Sequence, residues 1–301
     1  MAGDAVYGVL RGHEDDPGPS VVALRLMGAV HRLVLRGDAP GLAVHYPSAG
    51  GRPGDAWPAF VDVLQAHRDE LRRLVEHPVQ TNEPGRCAAL LGGFLEVART
   101  TGRPLRLLEV GASAGLNLRF DRYRYELGDE RWGQPGSPVV LRSLMTGPRQ
   151  PPLDAPLRVA SRAGCDRLPV DPRAEEGRLT LTSYVWPDQL ERLERLRAAW
   201  AAAAQVPAPV ERAGAADWIE KRLAEPSPGT TTVVFHSIVM QYLPAEERER
   251  FERAVTRASG SVGWLRMEEA GEMADVRLAL GGEDRLVARA GYHGTPIEWF
   301  G

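Results

Sequence analysis

Lysine is almost missing from this 301-residue chain: Lys221 stands alone among 37 basic residues, and the rest are arginine. Set beside the richness in Ala, Gly and Pro, that bias reads as coding preference rather than as a binding surface. The formal net charge is −3, so no excess of positive charge argues for a general nucleic-acid binder. Cysteine is scarce too. Cys87 and Cys165 are too few for a disulfide framework and are not spaced as a metal site. No apolar run approaches the length of a membrane span. Asp4 and the acidic run after His13 do not suit a signal peptide. These absences point to a cytoplasmic chain with reduced thiols and without membrane or nucleic-acid partners; a monomer or homodimer is expected, a choice the sequence does not make. A hydrophobic content of 43% and a charged content of 26% are ordinary for a globular protein, and the length allows one large domain or two small ones.

The most informative stretch is Leu105–Asn117, Leu-Arg-Leu-Leu-Glu-Val-Gly-Ala-Ser-Ala-Gly-Leu-Asn. A short apolar run closed by Gly111 and Gly115 reads as a buried parallel strand entering a tight turn. Leu116–Tyr123 can then begin a helix. Strand, glycine-rich turn and helix together open nucleotide-binding α/β domains, with the ligand at the carboxyl edge of the sheet. The spacing Glu109-x-Gly111-x-Ser113-x-Gly115 is not the dinucleotide fingerprint. It resembles the first motif of class I S-adenosylmethionine (SAM) methyltransferases, acid-x-Gly-x-Gly-x-Gly, with Ser113 at the middle glycine. Glycines there let the backbone approach a cofactor closely.

Before that strand, Gly12–Pro19 reads as a loop and Val21–Leu35 as an amphipathic helix with Val22, Leu26, Val30, Leu33 and Val34 on its apolar stripe. His31 within it reads as a satisfied or surface histidine rather than a ligand. Gly37–Asp55 is a Pro/Gly-rich connection ordered around Tyr46. Trp57–Glu76 reads as one long helix ended by Pro78. Thr81 or Asn82 could cap a helix from about Pro84 to Thr100, or the dense polar run Thr81-Asn-Glu-Pro-Gly-Arg86 could serve a site. Residues 1–102 read as a helical cap beside an α/β domain over 103–301.

Beyond the turn, Tyr123–Leu141 looks like a hairpin or extended excursion, part of an insertion at about 123–156. Leu157–Ala163 reads as the second strand. Asp166 at its end is placed to hold ribose hydroxyls, with Asp171 competing for the role. Leu179–Val185 is apolar or β-branched at alternate positions. Asp188 can cap a helix over Gln189–Ala204, Val206–Ala213 holds a short third strand, and Asp217 can cap the helix that follows. Val233–Phe235 form the core of the fourth strand, which brings His236, Ser237, Gln241 and Tyr242 to its carboxyl end. Val262–Met267 is the fifth strand. Glu268 and Glu269 after it point to opposite faces, which excludes a shared carboxylate dyad. Val276–Leu280 and Arg285–Ala290 read as a hairpin. His293, near Gly294, reads as structural.

Taken together, Gln80–Cys87, Glu109–Leu118 with Asp121-Arg-Tyr, Arg162-x-Gly-x-Asp166-x-x-Pro169, Val185–Gln189, His236-Ser237 with Gln241-Tyr242, and His293-Gly294 resemble a bacterial family known as DUF2332. That family is similar to class I SAM-dependent methyltransferases. The resemblance implies a Rossmann-like, mostly parallel α/β fold and SAM as cofactor. It places Glu109, Gly111, Ala112, Ser113, Gly115, Asn117 and Asp166 around the cofactor. Asp217 could accept from the adenine amino group. Thr81, Asn82, Glu83, Arg86, Trp186 and Gln241 would line the acceptor side, where Arg86 could hold a carboxylate bidentately. His236, tunable near neutral pH, is the expected base, with Tyr242 beside it. The expected reaction is in-line methyl transfer to a small molecule. The alternatives are a SAM-fold binding or regulatory module without catalysis and, less favoured by the glycine spacing, a nicotinamide-dependent oxidoreductase.

Overall fold

The computed structural model describes residues 2–16, 18, 21–258 and 260–301; Pro17 and Pro19 of the expected Gly12–Pro19 loop lie outside them. Two compact units divide the chain, one formed by residues 1–81 with 170–196 and the other by residues 82–169 with 197–301. These boundaries differ from a division at residue 102. Among the described residues no helix is long and apolar enough to cross a membrane.

The first unit starts with α1 (Ala2–Leu10), α2 (Val22–Arg36), the single turn α3 (Pro40–Ala43), α4 (Trp57–Ala66) and α5 (Arg68–Val75). The stripe expected on α2 is the buried one: Leu26, Val30, Leu33 and Val34 pack with Leu42, Leu64, Leu71 and Val75. The long helix expected over Trp57–Glu76 is two. His67 leaves helical geometry at φ −114°, ψ 25°. The break lets Phe60 and Leu64 on one side of it and Leu71 and Val75 on the other reach the same core. The buried Arg25 donates from Nε to the carbonyl of Val75 at 2.6 Å, satisfying a carbonyl at the end of α5.

The sheet unit opens with α6 (Arg86–Thr101), β1 (Leu105–Val110) and a 3-10 turn over Asn117–Arg122, in place of a longer helix. The excursion follows as β2 (Arg124–Leu127), β3 (Glu130–Gly133) and β4 (Val140–Ser143), a separate three-stranded sheet, then β5 (Met145–Thr146) and β6 (Val159–Asp166). The chain returns to the first unit for α7 (Glu175–Ser183), which takes up most of the alternating Leu179–Val185 stretch. Glu175 and Glu176 in its first turn complement the helix dipole, and seven alternating residues do not outweigh a helix that buries Leu181 and Thr182. The helix α8 (Leu190–Gln205) leads back to β7 (Val210–Arg212), α9 (Ala215–Ala224), β8 (Thr231–Ser237), α10 (Ala245–Arg257), β9 (Val262–Ala270), β10 (Met273–Leu280), β11 (Glu283–Ala290) and β12 (Ile297–Trp299).

Nine strands form the main sheet in the order β5-β12-β11-β10-β9-β8-β1-β6-β7. The run β7-β6-β1-β8-β9 is parallel, β9 to β12 form an antiparallel meander, and β5 pairs parallel with β12. This is a mixed α/β architecture built on a large, mostly parallel sheet. Val234 faces a cluster with Trp218 and Ile219 of α9 and Phe251 of α10. Its neighbour Phe235 meets Phe94 of α6 edge-on at 5.0 Å. Successive strand residues face opposite ways, so α6 covers one side of the sheet and α9 with α10 the other. The helix α6 therefore belongs with the sheet rather than with the expected cap. Gly92 and Gly93 make this possible, because a Cβ at either would overlap Trp299 or Leu265.

His31, read as a satisfied histidine, is buried. Its Nδ1 lies 3.2 Å from the Ser183 carbonyl, which only a protonated nitrogen can serve, so Nε2 accepts from the Ser48 hydroxyl at 2.8 Å. Burial lowers its pKa to about 4. An unfolded imidazole takes its proton near pH 6.5. Between these values the unfolded chain binds more protons, and stability falls as the pH falls. The expected loss across that window is about 3 kcal/mol from this residue. Urea unfolding at pH 7 and pH 4.5 checks it: a His31→Gln chain must lose less stability on acidification than the parent, and an equal loss rules the assignment out.

Candidate functional site

Strand order reverses at β1, which has β6 on one side and β8 on the other. In open α/β sheets such a point leaves a crevice at the carboxyl ends of the strands. In-register pairing sets Val110 opposite Cys165, and Glu109 opposite both Gly164 and Phe235. Gly111, Asp166 and His236 are therefore the next residues along three adjacent strand ends.

The turn is built from left-handed residues: Gly111 at φ 68°, Ser113 at φ 50° and Gly115 at φ 67°. For Ser113 that conformation costs about 1–2 kcal/mol, and its neighbours hold it. The Ser113 N–H donates to Asp166 Oδ2 at 2.9 Å, and Asp166 Oδ1 accepts from the Leu168 N–H at 2.9 Å. The Leu116 N–H donates to Asn82 Oδ1 at 2.8 Å. Asn82 thus binds the glycine-rich turn instead of capping α6. The entry to α6 is served by Glu83, whose Oε1 accepts from the Gly85 N–H at 2.9 Å. Arg119 ties the far side of the turn, donating from Nη1 to the Gly115 carbonyl at 2.6 Å and from Nε to the Val206 carbonyl at 2.8 Å.

Glu109 is 2% exposed. Burial pushes its pKa well above the carboxylate range, against a hydrogen bond from Asn117. The Asn117 side chain in turn lies 3.3 Å from the Cys87 thiol through its Oδ1. Among the described residues Oε2 of Glu109 has no hydrogen-bond partner. A buried carboxyl oxygen left in this way costs free energy unless something else satisfies it.

His236 is wholly buried. The Trp264 indole N–H donates to its Nε2 at 3.0 Å. An indole can only donate, so Nδ1 carries the proton, and it faces Glu268 Oε1 at 2.6 Å. Both ring nitrogens are committed, which corrects the expectation of His236 as an available base. The same Glu268 carboxylate accepts the Val239 N–H at 3.2 Å and the Met240 N–H at 3.4 Å, so the unit His236–Glu268 shapes the loop after β8. Within that loop Ile238 sits at φ 53°, a strained conformation for a β-branched residue. Val239 packs over Gly111, where a Cβ would overlap its Cγ2.

Arg86 is also buried. Its guanidinium donates to the carbonyls of Tyr292 at 3.1 Å and Ser237 at 3.0 Å. It braces this edge, a different task from the expected bidentate grip on a carboxylate. Gln241 and Tyr242 lie in a 3-10 turn over Met240–Tyr242. Tyr242 is 42% exposed, and partial burial raises its phenol pKa, which keeps it protonated at neutral pH and unsuited to act as a base. The Asp217 side chain is 75% exposed and pairs with Arg250 at 2.8 Å. It neither caps α9, whose first N–H donates to Glu247 at 2.6 Å, nor sits in a buried acceptor position. Thr81 and Trp186 belong to the helical unit. Asp121, quoted in the sequence motif, holds Arg162 in a fork at 2.7 and 3.0 Å and fixes the 3-10 turn after the glycines.

Sequence reading missed Arg119 and the Trp264–His236–Glu268 relay. In a chain this rich in arginine, nothing marks one arginine as a turn clamp. The relay joins residues of neighbouring strands through pairing that a single sequence does not display.

Two substitutions test the contact at the turn. Gly111→Ala is expected to cost roughly 2–4 kcal/mol, from the left-handed backbone and the overlap together. Adding Val239→Ala should return about 1–2 kcal/mol of it. Denaturant midpoints of the four chains in that cycle measure the coupling, and additive effects would show that Val239 does not constrain the turn.

Among the described residues no group of three His, Cys, Asp or Glu side chains is placed to hold a metal ion. No curated protein and no solved structure matches the chain. A family model described as an uncharacterized protein conserved in bacteria matches residues 2–299, and the chain belongs to that family, DUF2332.

Proposed function

We propose that the sheet unit is a Rossmann-like SAM-binding domain and that the protein is a SAM-dependent methyltransferase acting on a small-molecule acceptor. The observation that carries this reading is the unpartnered, buried Oε2 of Glu109, at the end of the central strand beside a left-handed turn. The cofactor's amino-acid end carries an ammonium group, a donor that such an oxygen lacks. Asp166 uses one lone pair on each oxygen for a backbone N–H. A carboxylate has about four acceptor positions, so it keeps capacity for two ribose hydroxyls. These two carboxylates suit the cofactor's polar groups. Asp217, paired and exposed, does not suit the adenine amino group. The buried free thiols of Cys87 and Cys165 agree with a reducing, cytoplasmic setting.

When bound, SAM supplies an electrophilic methyl group for in-line displacement. The chain's part is to hold and align the reactants and exclude water. With His236 committed to Trp264 and Glu268, and Tyr242 kept protonated, acceptors whose nucleophile needs no deprotonation by the protein are favoured. Tyr242 and Gln241 are left as hydrogen-bonding groups. The locked His236 also favours a second reading, a SAM-binding module without catalysis, and product formation separates the two.

Calorimetric titration with SAM and S-adenosylhomocysteine, with NADH as control, tests the cofactor. Saturable binding of the sulfur nucleosides, weakened at least tenfold in Asp166→Ala, is expected. Burial favours the protonated form of Glu109 and a neighbouring ammonium group favours the carboxylate, so binding should release protons and the measured enthalpy should vary with the buffer's ionisation enthalpy. That variation should vanish in Glu109→Gln. Failure of both nucleosides to bind a folded protein rejects the cofactor.

A further inference from the structure

Within the helical unit lies a cavity of about 390 Å³, in the size range of small-molecule sites. Its lining includes Met27, Tyr46, Trp57, Phe60, His45 and Asp188. None of this belongs to the site at the sheet edge, and all of these residues fall within one compact unit. Trp57 and Phe60 stack at 5.7 Å with an interplanar angle of 16°, and Trp57 is 52% exposed. The Val185–Gln189 motif supplies Pro187 and Asp188 to the wall.

The walls are fastened. The Ser48 N–H donates to the Pro187 carbonyl at 2.9 Å. His31 joins the same two segments through Ser48 Oγ and the Ser183 carbonyl. The Tyr46 carbonyl accepts the N–H groups of Ala49 and Gly51 at 2.9 and 3.0 Å. Cavity walls held by hydrogen bonds are pre-organised, which spares a ligand the cost of ordering them.

The charge pattern selects the ligand. In a chain with 37 basic residues, no arginine or lysine is among the described residues that line this cavity. A phosphate or carboxylate ligand would find no guanidinium there. Among the described residues its lining offers aromatic surface, the His45 imidazole and, at the exposed rim, Asp188. Aromatic faces attract organic cations, and a carboxylate adds a charge partner for an ammonium group. The geometry points to a binding site for a small apolar amine, with its hydrocarbon body against Trp57, Phe60 and Met27 and its ammonium group toward Asp188.

Calorimetry on the full chain with three probes that share a tert-butylphenyl body tests this. The probes are 4-tert-butylbenzylamine, 4-tert-butylbenzyl alcohol and 4-tert-butylbenzoate. The amine is expected to bind saturably and at least tenfold more tightly than the alcohol, with the benzoate weakest. Asp188→Asn should reduce the amine to the alcohol's affinity and leave the alcohol unchanged. Trp57→Ala, a half-exposed position, should weaken amine and alcohol at least tenfold with unchanged unfolding temperature, while Trp57→Phe retains binding. Equal affinity for amine and benzoate, full binding in Trp57→Ala, or no binding of any probe at millimolar concentration overturns the proposal. SAM binding is read separately, so failure here leaves the cofactor question intact.

Discussion

The bond from the Ser113 N–H to Asp166 holds the carboxyl edge of the sheet in its shape. A non-glycine residue in the left-handed region persists only where its surroundings over-determine it. Asp166 supplies one such determinant from the end of β6. Asn82, from the approach to α6, supplies another at Leu116. Arg119 closes the turn from behind through the Gly115 carbonyl. These residues lie far apart in sequence and converge because β1 sits between β6 and β8. A one-residue slip of β6 against β1 would carry Asp166 away from Ser113 and turn its side chain to the other face.

Buried cations at this edge act on backbone carbonyls more than on carboxylates. Arg86 serves Tyr292 and Ser237, and Arg119 serves Val206 and Gly115. Arg25 donates to the Val75 carbonyl as well as to Asp16, and Arg106 to the carbonyls of Arg222 and Glu225 as well as to the Glu225 carboxylate. A planar guanidinium with five donors reaches two carbonyls at fixed angles, which an ammonium group on a flexible stem does not reproduce. Each arginine thereby satisfies carbonyls in turns or near element ends. The scarcity of lysine in the sequence therefore has a counterpart in how the fold closes its polar ends.

Much of the sheet was legible because buried parallel strands are short apolar runs bounded by glycine or proline, as at Leu105–Val110 and Thr231–Ser237. The hairpin around Gly281–Gly282 was legible from its turn residues. Boundaries set by tertiary packing were not. The break at His67 has no glycine or proline to announce it. The helix over Glu175–Ser183 overrides a period-two pattern. The place of α6 depends on Gly92 and Gly93 meeting Trp299 and Leu265, residues some two hundred positions away. Within the candidate site, Glu109 and Asn117 were singled out by motif spacing and Asp166 by its place at the end of the second strand. Their hydrogen-bond duties, and the withdrawal of His236 into a relay, depend on which side chains the fold sets beside them.

The loop after β8 joins the two halves of that withdrawal. The carboxylate of Glu268 does two tasks at once: it orients the protonated Nδ1 of His236 and it accepts the N–H groups of Val239 and Met240. The backbone strain at Ile238 lies between them. Releasing His236 to act as a base would remove the Trp264 donor bond and disturb the carboxylate that fixes Val239 against Gly111. A free base and a fixed loop are therefore competing demands on the same few atoms, and in this fold the loop has the stronger claim. Beside the glycine-rich turn the buried carboxyl of Glu109, held toward its protonated form by burial, is then left as a titratable group that the relay does not engage.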